Sequence, residues 1–250
     1  MNTPLQSKNS KLAALFIAVL ILNTTLFTII NSIGSIFPNG LWVFITNLGD
    51  TSIALAIIVA IYKYKDDRGA RLLILAIAGT IIIQGLKHLL GVDRPSVVLF
   101  GMDGYHLIGQ AIKSPSFPSG HTATVFIGAG ILAAQYKESW ITKTVVAIAA
   151  LIGTSRIMMG VHWPFDVLVG AALGWIIGFY GYKILMDFDL SADKWKWIGG
   201  ASILITLLNA LTYDLPYAEF GTTVTTERIA VLLSAIGLYR WHKSLTPGSE

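Results

Sequence analysis

Long apolar stretches recur from one end of this chain to the other, and there are too many of them for a single buried core to absorb. Leu12 to about Ile33 is almost wholly apolar. Further stretches cover about Leu41–Tyr62, Leu72–Leu90, a shorter Thr122–Tyr136, one ending near Met158, and Phe165–Met186, with two more ending near Tyr213 and Tyr239. Charge is correspondingly scarce. Only 13% of the 250 residues are charged, against about 25% in an ordinary soluble domain, and the mean hydropathy is +0.66. These features predict an all-α, polytopic membrane helical bundle of about eight transmembrane helices, forming a single integral membrane domain over residues 1–250. The first stretch reads as a retained span, because it is too long for a signal peptide and lacks a small-residue cleavage site.

Composition also excludes several function classes. The net charge of +4 is no nucleic-acid signature, since the basic residues sit in short loops between apolar runs. There are no cysteines, so disulfides, thiolate nucleophiles and cysteine-bound metals are ruled out. With an even number of spans both termini share a side. That side gathers Lys8, Lys11, Lys63, Lys65, Arg68, Arg71, Lys137, Lys143, Lys183, Lys194, Lys196, Arg240 and Lys243, 13 of the 18 basic residues. Positive charge on the inner side predicts cytoplasmic termini, and loops 91–120 and 159–164 on the outer face.

Three blocks in those outer loops carry ionisable residues where charge is costly. The first runs from Lys87 to Pro95 and holds Lys87 and Arg94; the second is Pro118-Ser119-Gly120-His121; the third is Ser155 to Asp166, with Arg156, His162 and Asp166. Each has a plain structural reading by itself: a snorkelling lysine, a turn with an N-cap, an ion pair at a helix end. Together they have chemical sense. Two arginines and a lysine neutralise a phosphoryl group. Ser119 and the Gly120 amide at a helix start add an anion-binding edge. His162 and Asp166 lie four apart, so along a helix the carboxylate reaches the imidazole one turn away and leaves its other nitrogen free to attack.

The patterns Lys-x6-Arg-Pro, Pro-Ser-Gly-His and Ser-Arg-x3-Gly-x-His-x3-Asp resemble, without substitution, the three-part signature of the type 2 phosphatidic acid phosphatase superfamily. The resemblance implies a six-helix phosphatase core, about residues 12–186, so a C-terminal hairpin at about 195–240 is a departure from the family. It implies that His162 becomes a phosphohistidine while Asp166 holds its ring. His121 would protonate the leaving oxygen and then activate water. Lys87, Arg94, Ser119, Gly120 and Arg156 would cradle the phosphate. No cofactor and no metal is expected.

The function so implied is a metal-independent phosphatase in the bacterial cytoplasmic membrane, acting on a lipid phosphate or pyrophosphate at the outer face. Undecaprenyl pyrophosphate comes first among its substrates, ahead of phosphatidylglycerophosphate, phosphatidic acid and lipid A phosphates. Its partners are that lipid and the bilayer, with no nucleic acid; oligomeric state is not readable. The rival readings are a lipid-to-lipid phosphotransferase with the same residues and a non-enzymatic anion-binding transporter. Among other residues, Asp50 reads as a polar group at a helix end, His88 as structural, His106 and Asp103 as solvated loop residues in preference to contacts of a substrate head group, and Trp42, Trp140, Trp163, Trp195, Trp197 and Trp241 as an interfacial belt. The many glycines within spans suggest close helix packing.

Overall fold

Over their described residues the eight apolar stretches are helical in the computed structural model, the second with a break at 48–50; the structure describes residues 4–61, 67–136, 138–212 and 217–245. Tyr62, Lys63, Lys65, Lys137 and Tyr213, used above for boundaries and charge, lie outside the described residues. The elements are α1 Pro4–Gly34, α2 Asn39–Asn47, α3 Thr51–Ile61, α4 Arg68–Leu90, the single turn α5 Pro95–Val98, α6 Gly120–Gln135, α7 Ser139–Met158, α8 Pro164–Met186, α9 Ala192–Thr212 and α10 Gly221–Lys243. Four segments are long and apolar enough to cross a membrane: Lys11–Gly34, Arg68–Val98, α7 and α8. The pair α2 and α3, bent by 48°, makes a fifth. The remaining three, α6 at 16 residues and the charge-bearing α9 and α10, do not meet that measure.

The bend corrects the expectation of one straight second span. After Asn47 the chain turns at Gly49, where a methyl would run into Ile152 of α7 and Val125 of α6. Asp50 then restarts the helix: its Oδ1 accepts the Ser52 N–H at 2.7 Å, which satisfies one of the donors a helix start leaves free.

Between lipid-embedded helices burial gives little net attraction, so close backbone contact has to supply it. The α6–α8 pair does this with a glycine stripe. Gly170, Gly174 and Gly178 lie one turn apart on α8, and a methyl at each would collide with the carbonyl of Ser119, the residue before α6, or of Ala123 or Ile127 on α6. That contact fixes the axial register of the Pro-Ser-Gly-His block against the start of α8.

The hairpin α9–α10 packs across the second and third spans. Trp195 and Ile203 meet Leu55, Val59, Ala70 and Leu73, while Ala210 and Ala230 meet Ile53 and Ala56. Arg71, counted above as a loop charge, is buried at this end. Its guanidinium lies 4.4 Å from the Trp195 ring, ion-pairs with Asp67 at 2.7 Å, and donates to the carbonyls of Leu185 and Phe188 at the close of α8. Two of the six tryptophans expected in the interfacial belt are buried instead: Trp195 here, and Trp42, whose Nε1 donates to the Gly34 carbonyl at 2.8 Å.

Candidate active site

The site forms where the C-terminal ends of α4 and α7 meet the N-terminal ends of α6 and α8. Its central turn follows from one glycine. At the end of α7, Gly160 takes φ +77°, its N–H bonds to the Ile157 carbonyl at 2.9 Å, and the Val161 N–H reaches back to Arg156 at 3.1 Å. This pairing closes a helix with a left-handed residue just past its end. The chain reverses over it and delivers His162 to the interior. Pro164 then opens α8, where a missing N–H costs nothing.

His162 and Asp166 therefore meet across a helix start, not along one helix as the spacing suggested. His162 precedes α8, and Asp166 is the third residue of its first turn. The carboxylate Oδ2 lies 3.2 Å from His162 Nδ1, accepts the Trp163 N–H at 2.8 Å, and accepts the Ser116 hydroxyl at 2.5 Å. On the other side of the ring, Arg94 Nη1 lies 3.1 Å from Nε2. A guanidinium has only donors, so Nε2 is the acceptor and Nδ1 carries the ring proton toward Asp166. That tautomer leaves a lone pair on Nε2 pointing at the arginine. Burial first, and then the charges of Arg94, Lys87 and Arg156, hold the His162 imidazole well below the ordinary histidine range.

Lys87 and Arg94 are held by backbone carbonyls, and the charges of both act on Asp166. Lys87 Nζ sits 3.2 Å from the Pro115 carbonyl and 3.4 Å from that of Ser116. Arg94 donates to the Ser114 carbonyl at 2.7 Å and to Val161 at 2.9 Å. Arg156, 2% exposed, donates through Nη1 to the Thr46 hydroxyl at 2.6 Å, and its buried Nε has no partner. The Tyr217 ring, from the loop before α10, lies 5.9 Å from the same guanidinium.

Ser119 is the N-cap of α6 by position, yet its hydroxyl makes no capping bond and instead accepts from Thr122 at 2.9 Å, while its N–H donates to the Asp166 carbonyl. Beside Gly120 a methyl would meet nothing within 4 Å, so the backbone at the α6 N-terminus is open to a ligand. His121 follows, with its Nε2 3.7 Å from Asp50 Oδ2. All eight residues expected at the site are thus drawn to this one end of the bundle. Arg94 touches His162, and Lys87, Arg156 and His121 act on it electrostatically.

Three neighbours were missed. Ser116 is fully buried against the His162–Asp166 pair, and its place two residues before Pro118 was the available signal. Thr46 had no sequence signal. Asp50 had one, as an acid inside an apolar run, and was read as an interfacial helix end; it is 2% exposed and turned into the site. His106 is likewise no free loop residue: its ring lies 3.1 Å from Asn39 Oδ1 and 3.3 Å from the Met158 carbonyl. His88 is exposed and turned away. Among the described residues no three of His, Asp and Glu converge as metal ligands would.

Residues 68–189, which contain all eight of the expected site residues, match the PAP2 superfamily. Over 165 residues the chain is 30% identical to an undecaprenyl-diphosphatase of Sulfolobus acidocaldarius, covering 65% of this chain and 78% of that protein. It is 32% identical over 129 residues to a lipid A 1-phosphatase of Porphyromonas gingivalis, covering 49% of this chain and 26% of the other. Its fold matches the crystal structure of a transmembrane PAP2-type phosphatidylglycerolphosphate phosphatase from Bacillus subtilis, with a TM-score of 0.54 and 24% identity over 71% of this chain and 96% of that one. With a relative at this identity matched over most of its length, and with a shared fold, the chain belongs to the PAP2 superfamily of phosphatases.

Proposed function

We propose that this membrane protein hydrolyses the phosphate or diphosphate of a membrane lipid through a phosphohistidine on His162, without a metal, and that undecaprenyl diphosphate is its preferred substrate. The observation that carries the reading is the His162 ring itself. One nitrogen is locked to Asp166, and the other presents a lone pair to the guanidinium that would hold the phosphoryl group. In the first step Nε2 attacks phosphorus, the bond to the departing oxygen breaks, and His121 gives that oxygen a proton. Arg94 turns from Nε2 to the phosphoryl oxygens as substrate enters, beside Lys87, Arg156, the Ser119 hydroxyl and the Gly120 amide. In the second step water attacks the phosphohistidine, His121 takes its proton, and the N–P bond breaks.

The lipid class rests on two supports. The site lies at the ends of apolar helices, where a head group on a bilayer-embedded tail would meet it, and similar proteins are named for lipid substrates. The diphosphate preference follows the S. acidocaldarius relative, which this chain matches over more of its length than the lipid A phosphatase. The charge count favours cytoplasmic termini and a site facing outward from a cytoplasmic membrane, although Arg71 belongs to the interior and drops out of that count.

The test is phosphate release by detergent-purified protein in the presence of chelator, with undecaprenyl diphosphate, lipid A and phosphatidylglycerophosphate compared. Chelator-resistant release that is fastest with undecaprenyl diphosphate and lost in His162→Ala is expected. Release from none of the three contradicts the hydrolase reading. Transfer of label to a second lipid would move the protein to the phosphotransferase class.

A further inference from the structure

The role proposed for His121 sets a chemical problem that its surroundings do not solve by themselves. To protonate a leaving alkoxide or phosphate oxygen the ring must enter the first step as an imidazolium. The groups acting on it from α4, the turn before α5, and α7 are Lys87, Arg94 and Arg156, all cationic. His162, from the turn before α8, is a second imidazole nearby and adds no negative charge. Asp166 is taken up by His162, Ser116 and the Trp163 N–H. Among the described residues, the carboxylate paired with His121 is Asp50, from the break between α2 and α3, at 3.7 Å from Nε2.

Capping alone does not account for an aspartate here. Serine, threonine or asparagine starts a helix as well and carries no charge to bury. A buried carboxylate is costly unless something answers it. Asp50 uses Oδ1 for the cap on Ser52 and turns Oδ2 to His121, and the Arg156 charge also acts on it. The sequence makes room for this by bending the span at Gly49, where no side chain fits. His121 is also the more open of the two histidines, its side chain 15% exposed against 2% for His162, as a group that meets both leaving oxygen and water needs to be.

We infer that Asp50 is the positioning residue of His121, standing to the proton donor as Asp166 stands to the nucleophile. Its carboxylate stabilises the imidazolium among three cations and orients the ring. The proton passes from the imidazolium to the oxygen of the departing lipid, the imidazole is left neutral, and Asp50 stays a carboxylate throughout. The site is then two opposed aspartate–histidine pairs, the second supplied from outside residues 68–189. This inference rests on the phosphatase reading above.

Asp50→Asn tests it, because asparagine keeps the Ser52 cap and removes only the charge. Two substrates separate the roles: a lipid phosphate, whose leaving oxygen needs a proton, and p-nitrophenyl phosphate, whose leaving group does not. General-acid help is worth roughly 100-fold or more, so the variant is expected to lose about tenfold or more in kcat on the lipid, while the first-turnover burst of p-nitrophenolate, which precedes the water step, stays within about twofold. The limb of the kcat profile that falls at high pH reports loss of the His121 proton. Without the nearby carboxylate it is expected to move down by about one pH unit. Asp50→Glu keeps the charge and is expected to retain most of the wild-type limb. In His121→Ala the added Asp50→Asn is expected to cost nothing more. Equal losses in lipid turnover and in the p-nitrophenolate burst, with an unmoved limb, would make Asp50 a helix cap only. A wild-type protein that cleaves neither substrate ends the phosphatase reading, and this inference with it.

Discussion

The ring of Tyr217 lies 5.9 Å from the guanidinium of Arg156, although Tyr217 belongs to the C-terminal hairpin and lies beyond residues 68–189. The ring is buried with Trp42, Val43, Ile108, Met159 and Val161, and the hairpin is tied to α2 by the Asn47 side chain, which donates to Thr223 at 3.1 Å. A desolvated cation–π contact of this kind is worth about 0.5–2 kcal/mol. Tyr217→Leu is expected to raise KM for a lipid phosphate, and to weaken inhibition by orthovanadate, by about 3- to 30-fold, with a smaller change in kcat. The buried Tyr217 hydroxyl has no partner, so Tyr217→Phe is expected to behave as wild type in both assays.

Ser116 donates to the same carboxylate oxygen that orients His162. A hydrogen bond to a charged acceptor contributes about 1.5–3 kcal/mol. Ser116→Ala is expected to lower kcat by about 10- to 100-fold, leaving KM and the detergent melting temperature little changed. Steady-state kinetics beside a thermal melt check this, and a melting loss as large as the rate loss would mark Ser116 as structural.

The glycine stripe predicts a sharp positional contrast. Gly174→Leu must part α6 from α8 at the Ala123 carbonyl, and it is expected to cost several kcal/mol, in the range of core overpacking. Gly85→Ala faces open space in mid-helix and is expected to be neutral or to stabilise by up to about 1 kcal/mol. Melting temperatures in one detergent distinguish the two.

The His162 imidazole is held below its ordinary range, so the pH dependence has a definite sign. Attack needs the neutral ring, and the low folded value keeps it neutral below the usual histidine range. The acid limb of kcat/KM is therefore expected well below pH 6.5, where an unperturbed histidine would place it. Arg94→Gln removes one of the charges and is expected to raise that limb only in part, since burial is the larger cause. Stability follows by linkage: below about pH 6.5 the unfolded chain binds a proton at this position that the folded chain refuses, so this residue destabilises the fold as pH falls. A pH series of melts should show that loss reduced in His162→Gln.

Much of this site was legible because charge in an apolar chain is conspicuous. Lys87, Arg94, Arg156, His121, His162 and Asp166 stand out against their surroundings, and their spacing carried the family resemblance. Helix positions were legible for the same reason. What escaped was whatever depends on the path of the backbone between blocks. Asp50 looked like an interfacial polar group because nothing local reveals that the span bends at Gly49 and faces His121. Thr46 and Ser116 are ordinary residues until Arg156 and Asp166 are placed beside them. The His162–Asp166 contact was anticipated on the wrong geometry, since Gly160 and Pro164 interrupt the helix that the four-residue spacing suggested. Tyr217 reaches Arg156 only through a tertiary contact of the hairpin.

Trapping the intermediate tests most directly whether His162 carries the phosphoryl group. Purified protein is mixed with a lipid phosphate or diphosphate labelled in its terminal phosphoryl group, quenched under alkaline conditions within milliseconds, and mapped by mass spectrometry. An acid-labile, base-stable phosphoryl group on His162 is expected. It should be absent in His162→Gln and should accumulate in His121→Ala when an aryl phosphate, which needs no proton for departure, is the donor. Phosphate release at the wild-type rate with no labelled histidine, or label that persists in His162→Gln, would contradict that expectation.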